Sequence, residues 1–144
     1  MRIGIPKEKN EKETRVAVVP VSIPKLSKLG FEVIIEKSAG KKSGYSDAEY
    51  EEKGAKISSI DDVMKSELIV SIDVPDFSSM KKGQMLACVA DPFRNLEQTK
   101  KIIDAGITLL SLEVIPRRLS KGQSMDVNSS QDNLSGYKAA LLGS

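Results

Sequence analysis

The sequence predicts an α/β fold, a three-layer sandwich in which a mostly parallel sheet carries helices on both faces. The first observation behind this prediction is that short apolar runs alternate with helical stretches along the chain. The second is that these runs are almost continuously apolar, which is typical of parallel strands buried on both faces. The third is the length of 144 residues, which suits one domain and suffices to bury a core without disulfides.

The predicted strands are short apolar runs that stop at a proline, a glycine or a polar turn. The run at 2–5 stops at Pro6, and the run at 68–74 stops at Pro75. The last run, at 107–112, is expected to be a buried strand like the others. The complete set of predicted strands is 2–5, 31–35, 56–57, 68–74, 85–90 and 107–112.

The predicted helices begin at capping residues and stop at glycines. Ser22, Ser46 and Ser59 precede helical patterns, where a hydroxyl oxygen can accept a hydrogen bond from a free amide of the first turn. Gly30 and Gly54 stand just past two helix ends, where a left-handed residue is favoured. The predicted helices are 23–29, 47–53, a short helix after residue 59, 96–105 and 130–142. The last helix carries its apolar residues on one side, at Leu134, Tyr137, Leu141 and Leu142.

The composition excludes several classes of function. The chain has no His, so it cannot form a Ser-His-Asp triad, a Cys-His pair or a zinc site built on imidazole, and we expect no metal. Its single cysteine, Cys88, excludes an internal disulfide and is interpreted as structural. With 22 basic residues, 20 acidic residues and 4% aromatics, we expect no nucleic-acid binding. No apolar run approaches the ~20 residues of a membrane-spanning helix, so we expect no direct membrane insertion.

The common nucleotide-binding motifs are absent. No two glycines are separated by a single residue, so the sequence lacks a G-x-G-x-x-G fingerprint. Residues 40–43, GKKS, resemble the end of a phosphate-binding P-loop, but no glycine stands five residues earlier. We interpret this segment as a turn with solvated lysines.

Two polar segments are candidates for a binding site. Arg15 lies between a polar loop and an apolar run, where it can bind a carboxylate or phosphate through two parallel hydrogen bonds. An ion pair with a neighbouring Glu is the better local explanation. Residues 116–133 follow the last predicted strand, and ligands of open α/β sheets bind beyond the carboxyl ends of strands. Their polar groups suit an amide-bearing ring and a phosphate, or simply a capped polar loop, and the chemistry favours neither.

Several sequence motifs connect the chain to a known family. They are MRIGIPKE at 1–8, ETRVA at 13–17, and the series QSMD, SSQ, NL and GYKA between residues 123 and 139. Over essentially its whole length the chain resembles the N-terminal domain of the alpha subunit of proton-translocating NAD(P) transhydrogenase, in a group that includes alanine dehydrogenase. The opening motif is shared by that group, whereas the series from QSMD to GYKA is specific to transhydrogenase. The resemblance implies one Rossmann-like or flavodoxin-like domain over residues 1–144.

The resemblance implies that this domain supplies the nicotinamide-side loop of an NAD(H) site. From that site, hydride passes to NADP in a reaction coupled to proton translocation. The implied cofactor contacts are Arg117, Arg118, Ser120, Lys121, Gln123, Asp126 and Ser129. The family's Arg stands five residues before the Gln, at Arg118, but one extra residue here makes Arg117 a competitor. None of these groups is a chemical acid or base, since hydride transfer depends on alignment and on the cofactor itself.

The resemblance also implies partners and a location. The partners are a second, NAD-binding Rossmann domain of the alpha subunit, an NADP-binding beta subunit and membrane subunits, with the alpha subunit as a homodimer. The location is cytoplasmic, peripheral to the inner membrane. We expect the second domain to be absent from this chain, so that the chain alone is inactive and binds NAD weakly or not at all. The alternative is a truncated, non-catalytic module that docks on a full-length alpha subunit.

The sequence departs from the alanine dehydrogenase branch of the family. That branch places an Arg, a Lys and a His around its keto-acid substrate. Arg15 matches the Arg and is expected in a substrate-like pocket, but the Lys position is Ser71 and the chain has no His. Alanine dehydrogenase activity is therefore not expected.

Overall fold

The computed structural model describes residues 1–143 and shows one sheet of six parallel strands. The strands are β1 Arg2–Ile5, β2 Glu32–Glu36, β3 Lys56–Ser58, β4 Leu68–Val70, β5 Met85–Cys88 and β6 Thr108–Ser111. They lie in the order β3-β2-β1-β4-β5-β6, and every neighbouring pair is parallel. Each predicted strand is present, and the α/β fold class is confirmed.

The α-helices of the described chain include every predicted helix in the predicted order and one short helix, at 120–123, that was not predicted. They are α1 Ile23–Lys28, α2 Asp47–Glu52, α3 Ile60–Val63, α4 Leu96–Asp104, α5 Ser120–Gln123 and α6 Val127–Gly143. Ser46 caps α2 through a reciprocal capping box with Glu49. Ser22 and Ser59 occupy the N-cap positions of α1 and α3, but their side chains make no capping hydrogen bond.

The core consists of two apolar clusters on opposite faces of the sheet. Side chains of Ile3 and Ile5 point to one face, where they pack with Val33, Ile35, Ile23 and Tyr50. Gly4 lies between them and points to the other face, in register with Ile69. Ile69 belongs to the second cluster, with Leu86, Cys88 and Ile102. This arrangement accounts for the nearly continuous apolar character of the strands.

The sheet has its topological switch point between β1 and β4. The chain winds outward from β1 through β2 to β3, and then crosses back to β4 on the other side. The carboxyl ends of β1 and β4 therefore lie side by side with their connections leaving in opposite directions, which opens a crevice for ligands in folds of this kind. Both polar segments singled out in the sequence lie toward this end of the sheet.

Two strands differ from the prediction for identifiable reasons. β4 ends at Val70 because the carboxylate of Glu8 accepts hydrogen bonds from the amides of Ile72 at 2.7 Å and Asp73 at 3.1 Å, which draws the chain out of a regular strand. The prediction that 107–112 is a buried strand is wrong. β6 is an edge strand with alternating exposure, and Leu110 is 45% exposed.

The last helix, α6, is predicted correctly in type but not in packing. It begins at Val127, three residues before the predicted start, and contains no buried residue. The apolar side chains that share one side of the helix are exposed, at Leu134, Tyr137, Leu141 and Leu142. Helical periodicity therefore identified the helix correctly, but its apolar residues are not buried in this domain. No helix formed by residues 1–143 combines the length and apolar character needed to cross a bilayer.

Candidate functional site

A cavity of about 500 Å³ lies beyond the carboxyl end of β4, between the polar loop that follows β1 and the start of α6. Arg15 and the chain up to Val19 form one wall, and residues 70–72 form the floor. The other wall is one side of α6, at Val127, Ser130, Gln131 and Leu134. The fold thus brings Arg15 and the end of the second polar segment to one opening, as expected for loops at the carboxyl ends of parallel strands. The predicted cofactor contacts lie outside the lining of this cavity, at Arg117, Arg118, Ser120, Lys121, Gln123, Asp126 and Ser129.

Arg15 is paired with a neighbouring Glu, as the local sequence favoured. Its Nε donates to Oε1 of Glu13 at 2.9 Å, and its Nη2 donates to Oε2 of the same carboxylate at 2.6 Å. This two-point pairing orients the planar guanidinium, and the hydrogen bonds from Arg15 lower the pKa of the Glu13 carboxyl. The remaining donor, Nη1, reaches Oε1 of Gln131 in α6 at 2.8 Å.

Asp126 caps the start of α6. Its Oδ1 accepts hydrogen bonds from the amides of Asn128 at 3.0 Å and Ser129 at 3.1 Å, and its Oδ2 accepts the Ser129 hydroxyl at 2.5 Å. These bonds satisfy amides that have no partner within the helix, which explains why α6 begins at Val127. The Ser129 hydroxyl and amide, and then Arg117, hold the pKa of Asp126 below its ordinary value.

Of the two competing arginines, Arg117 contacts the Asp126 cluster. Its Nε lies 3.5 Å from Oδ2 of Asp126, although both arginines are exposed. Arg117, Asp126 and Ser129 thus form one connected polar group at the helix start. Residue spacing alone did not distinguish Arg117 from Arg118, because the loop contains one extra residue.

The rest of the predicted loop contains a short helix, α5. Ser120 begins it, and the side chains of Lys121 and Gln123 are exposed on its surface. Gly122 is buried against the carbonyl oxygen of Pro116, at a distance that leaves no room for a Cβ atom. This close approach holds the turn against the preceding chain and presents Gln123 outward.

Two cavity residues were not predicted as ligands from the sequence. Gln131 belongs to the SSQ motif, and the structure shows that it contacts Arg15 across the cavity. Ser71 stands at the position where the resemblance implies a lysine in the alanine dehydrogenase branch. Its hydroxyl is buried and donates to the carbonyl oxygen of Asp73 at 2.7 Å, so it shapes the floor. No local pattern in the sequence indicates either contact.

A larger cavity, of about 810 Å³, lies at the switch point itself. There the buried carboxylate of Glu8 already takes the amides of Ile72 and Asp73, which would otherwise be available to an anion. Burial raises the pKa of Glu8. These two amides are therefore not available to a phosphate.

We expect the first turn of α6 to loosen in acid. The folded pKa of Asp126 is lowered, so its capping stabilises the helix above the unfolded pKa and is lost as pH falls through the folded value. Amide hydrogen exchange and NMR shifts of Asn128 and Ser129, followed against pH, measure this. Asp126→Asn removes the titration but keeps an acceptor, so its amide signals are expected to stay nearly constant over the same range. An identical acid response in Asp126→Asn contradicts the assignment.

The chain is similar in sequence and in structure to several known proteins. The sequence profile of a family described as "Alanine dehydrogenase/PNT, N-terminal domain" matches residues 4–135. The chain is 36% identical over 144 residues to NAD(P) transhydrogenase subunit alpha of Haemophilus influenzae, covering 98% of the chain and 28% of that protein. It is 34% identical over 146 residues to NAD(P) transhydrogenase subunit alpha of Cereibacter sphaeroides, again covering 98% and 28%.

Solved structures show the same likeness. A transhydrogenase from Sinorhizobium meliloti matches with a TM-score of 0.93 and 36% identity, over 98% of this chain and 43% of that chain. An L-alanine dehydrogenase matches with a TM-score of 0.78 and 30% identity, over 84% and 34%. The chain therefore spans 28% of the length of the two curated relatives and less than half of either solved chain.

Proposed function

Since the chain belongs to the alanine dehydrogenase/PNT N-terminal domain family, we propose that it supplies the nicotinamide side of an NAD(H) site in an NAD(P) transhydrogenase alpha subunit. Its likeness to the N-terminal part of such subunits supports this proposal. In the proposed reaction, hydride passes from NADH to NADP on a partner subunit. The chain alone would be inactive and would bind NAD weakly.

The observation that carries the proposal is the position of the Arg117–Asp126–Ser129 group beside exposed Gln123. Asp126 is held by two amides and a hydroxyl, so its geometry is set before any ligand arrives. Gln123 offers both a donor and an acceptor, which is what a carboxamide requires. These residues would orient the nicotinamide ring, while the cofactor, when bound, supplies the hydride chemistry.

The geometry favours a transhydrogenase over an alanine dehydrogenase. At the lysine position of the dehydrogenases this chain has Ser71, whose hydroxyl is already bonded to the Asp73 carbonyl and carries no charge. The chain contains no His for an acid or base. Arg15 lines the cavity, but Nε and Nη2 of its guanidinium are bonded to Glu13. A keto-acid carboxylate would find only this single, paired cation there.

The proposed weak affinity for NAD follows from the groups that this domain offers to the cofactor. The switch-point amides of Ile72 and Asp73 are taken by Glu8, so these two amides cannot bind the cofactor pyrophosphate. A second, NAD-binding domain would supply that anchor and close the cleft. The further proposed partners are an NADP-binding subunit, membrane subunits and a second alpha subunit, at the cytoplasmic side of the inner membrane.

An NADH titration followed by amide NMR tests the proposal. We expect shifts confined to residues 117–129 at millimolar NADH, and their loss in Gln123→Ala because the carboxamide contact is removed. Gln98→Ala is the matched control, since Gln98 is an exposed glutamine on α4, away from the cavity. Absence of shifts at millimolar NADH, or equal losses in the two variants, contradicts a nicotinamide half-site in this chain.

The exposed apolar side of α6 favours a second candidate function. Leu134 is 63% exposed and Tyr137 is 68% exposed, on a helix without buried residues. If this chain is a non-catalytic module that docks on a full-length alpha subunit, the docked subunit would cover this side of α6. Co-purification of the chain with such a subunit, lost in Leu134→Lys, would support it, whereas docking that survives the substitution would contradict it.

A further inference from the structure

The start of α6 is fastened to the domain by side-chain hydrogen bonds. Asn128 Nδ2 donates to the carbonyl oxygen of Glu113 at 3.1 Å, and Gln131 Oε1 accepts from Nη1 of Arg15 at 2.8 Å. The two helix residues are three positions apart, so they lie on the same side of α6, one turn apart. Because no residue of α6 is buried, apolar packing contributes little to its placement.

Arg15 is itself held rigidly, so it can act as a fixed point for α6. The Glu13 carboxylate bonds one edge of its guanidinium, through Nε and Nη2, and the Glu13 side chain is only 10% exposed. The loop behind it is fastened to the turn after β2. Lys42 Nζ donates to the carbonyl oxygen of Glu13 at 3.3 Å, and Ser43 Oγ donates to the carbonyl oxygen of Thr14 at 2.7 Å. The remaining nitrogen of the guanidinium, Nη1, is left for Gln131.

Gln131 lies close to the proposed cofactor contacts along the chain. It is two residues after Ser129 in the same helix and five after Asp126, which caps that helix. A change in the tilt of α6 therefore displaces Ser129, and with it the Asp126 carboxylate that accepts the Ser129 amide and hydroxyl. The bond between Arg15 and Gln131 joins residues 116 positions apart and so links α6 to the loop that follows β1.

We propose that Gln131 is a positioning residue, which acts through Arg15 to hold α6 and the Asp126–Ser129 group in the orientation that the cofactor requires. The inference rests on the proposed function for its cofactor, but the placement of α6 can be measured without any ligand. Gln131 itself would not touch the cofactor. For this role, residue 131 needs only one acceptor oxygen that faces the guanidinium of Arg15. A carboxylate would also provide this oxygen.

The test compares three variants of this chain without ligand. Gln131→Leu removes the acceptor at similar volume, Gln131→Glu restores an acceptor, and Ser135→Leu places the same apolar side chain at another exposed position of α6. We expect Gln131→Leu to shift the amide signals of residues 126–129 and to speed their hydrogen exchange about tenfold, since a hydrogen bond to a charged group is lost. Gln131→Glu is expected to restore both, and the melting temperature is expected to stay unchanged throughout.

Two results would overturn this inference. One is unchanged signals at 126–129 in Gln131→Leu, and the other is an equal change in Ser135→Leu. An NADH titration of the same variants then measures the effect on cofactor affinity. We expect about tenfold weaker NADH binding for Gln131→Leu and recovery in Gln131→Glu. If the unsubstituted chain shows no NADH shifts, the nicotinamide half-site is contradicted, while the positioning of α6 is decided by the measurements without ligand.

Discussion

Replacing Gly4 with alanine is expected to lower the free energy of unfolding by about 3 kcal/mol, at the upper end of the usual cost of overpacking. An added Cβ would collide with the backbone carbonyl oxygen of Val63 and would stand 2.8 Å from Oγ of Ser66 and 3.0 Å from Cδ1 of Ile69. A carbonyl of the backbone cannot rotate away as a side chain can. β1 is paired on both sides, so the strand cannot move aside either.

Urea unfolding followed by circular dichroism measures this effect. Gly136→Ala is the matched control, because Gly136 lies in α6 with no atom within 4 Å of its added Cβ. There alanine is expected to stabilise the helix by about 0.5–1 kcal/mol. Equal destabilisation by the two substitutions would show that the close contact at Gly4 is not the cause.

Replacing Tyr50 with alanine is expected to cost about 3–5 kcal/mol, in the range for deleting a buried aromatic ring. The side chain is fully buried and packs edge-on against Tyr45 with ring centroids 6.3 Å apart. Its hydroxyl donates to the carbonyl oxygen of Val18 at 2.9 Å, and burial raises the pKa of Tyr50 to about 12, so the donor stays protonated. Val18 belongs to the chain that runs from Arg15 along the cavity wall.

Tyr50→Phe separates the hydrogen bond from the packing. It keeps the ring and leaves the Val18 carbonyl without this donor, so we expect a loss of about 1–2 kcal/mol in urea unfolding. Tyr137→Ala is the control for removing a tyrosine, since Tyr137 is 68% exposed and its loss should change stability by less than about 0.5 kcal/mol. A Tyr50→Phe variant as stable as the original chain would mean that the bond to Val18 contributes nothing.

Local patterns predicted the elements of this fold well and their burial less well. The strand at 2–5 and the capping role of Ser46 were predicted to the residue, because a proline stop and a capping box act within a few positions of the chain. The sequence did not predict the exposure of β6, because an apolar run has the same pattern in an edge strand as in a central strand. Sheet order alone distinguishes the two positions.

The candidate site shows the same division. Asp126 and Ser129 were named from a motif, and their mutual contact is local, three residues apart on a helix start. The pairing of Asp126 with Arg117, and not with Arg118, depends on how the loop and α5 fold between them. Gly122 lies on that path, where it approaches the carbonyl oxygen of Pro116 too closely for a Cβ atom.

The sequence by itself determined the fold class, the order of the strands and helices along the chain, and the absence of imidazole chemistry. These depend on periodicity, caps and composition, which are local or countable properties. Only the tertiary structure decided that Glu8 takes the switch-point amides and that Arg15 reaches Gln131. Those contacts join residues 64 or more positions apart, and their partners are chosen by the sheet order, which brings distant loops to the same end of the domain.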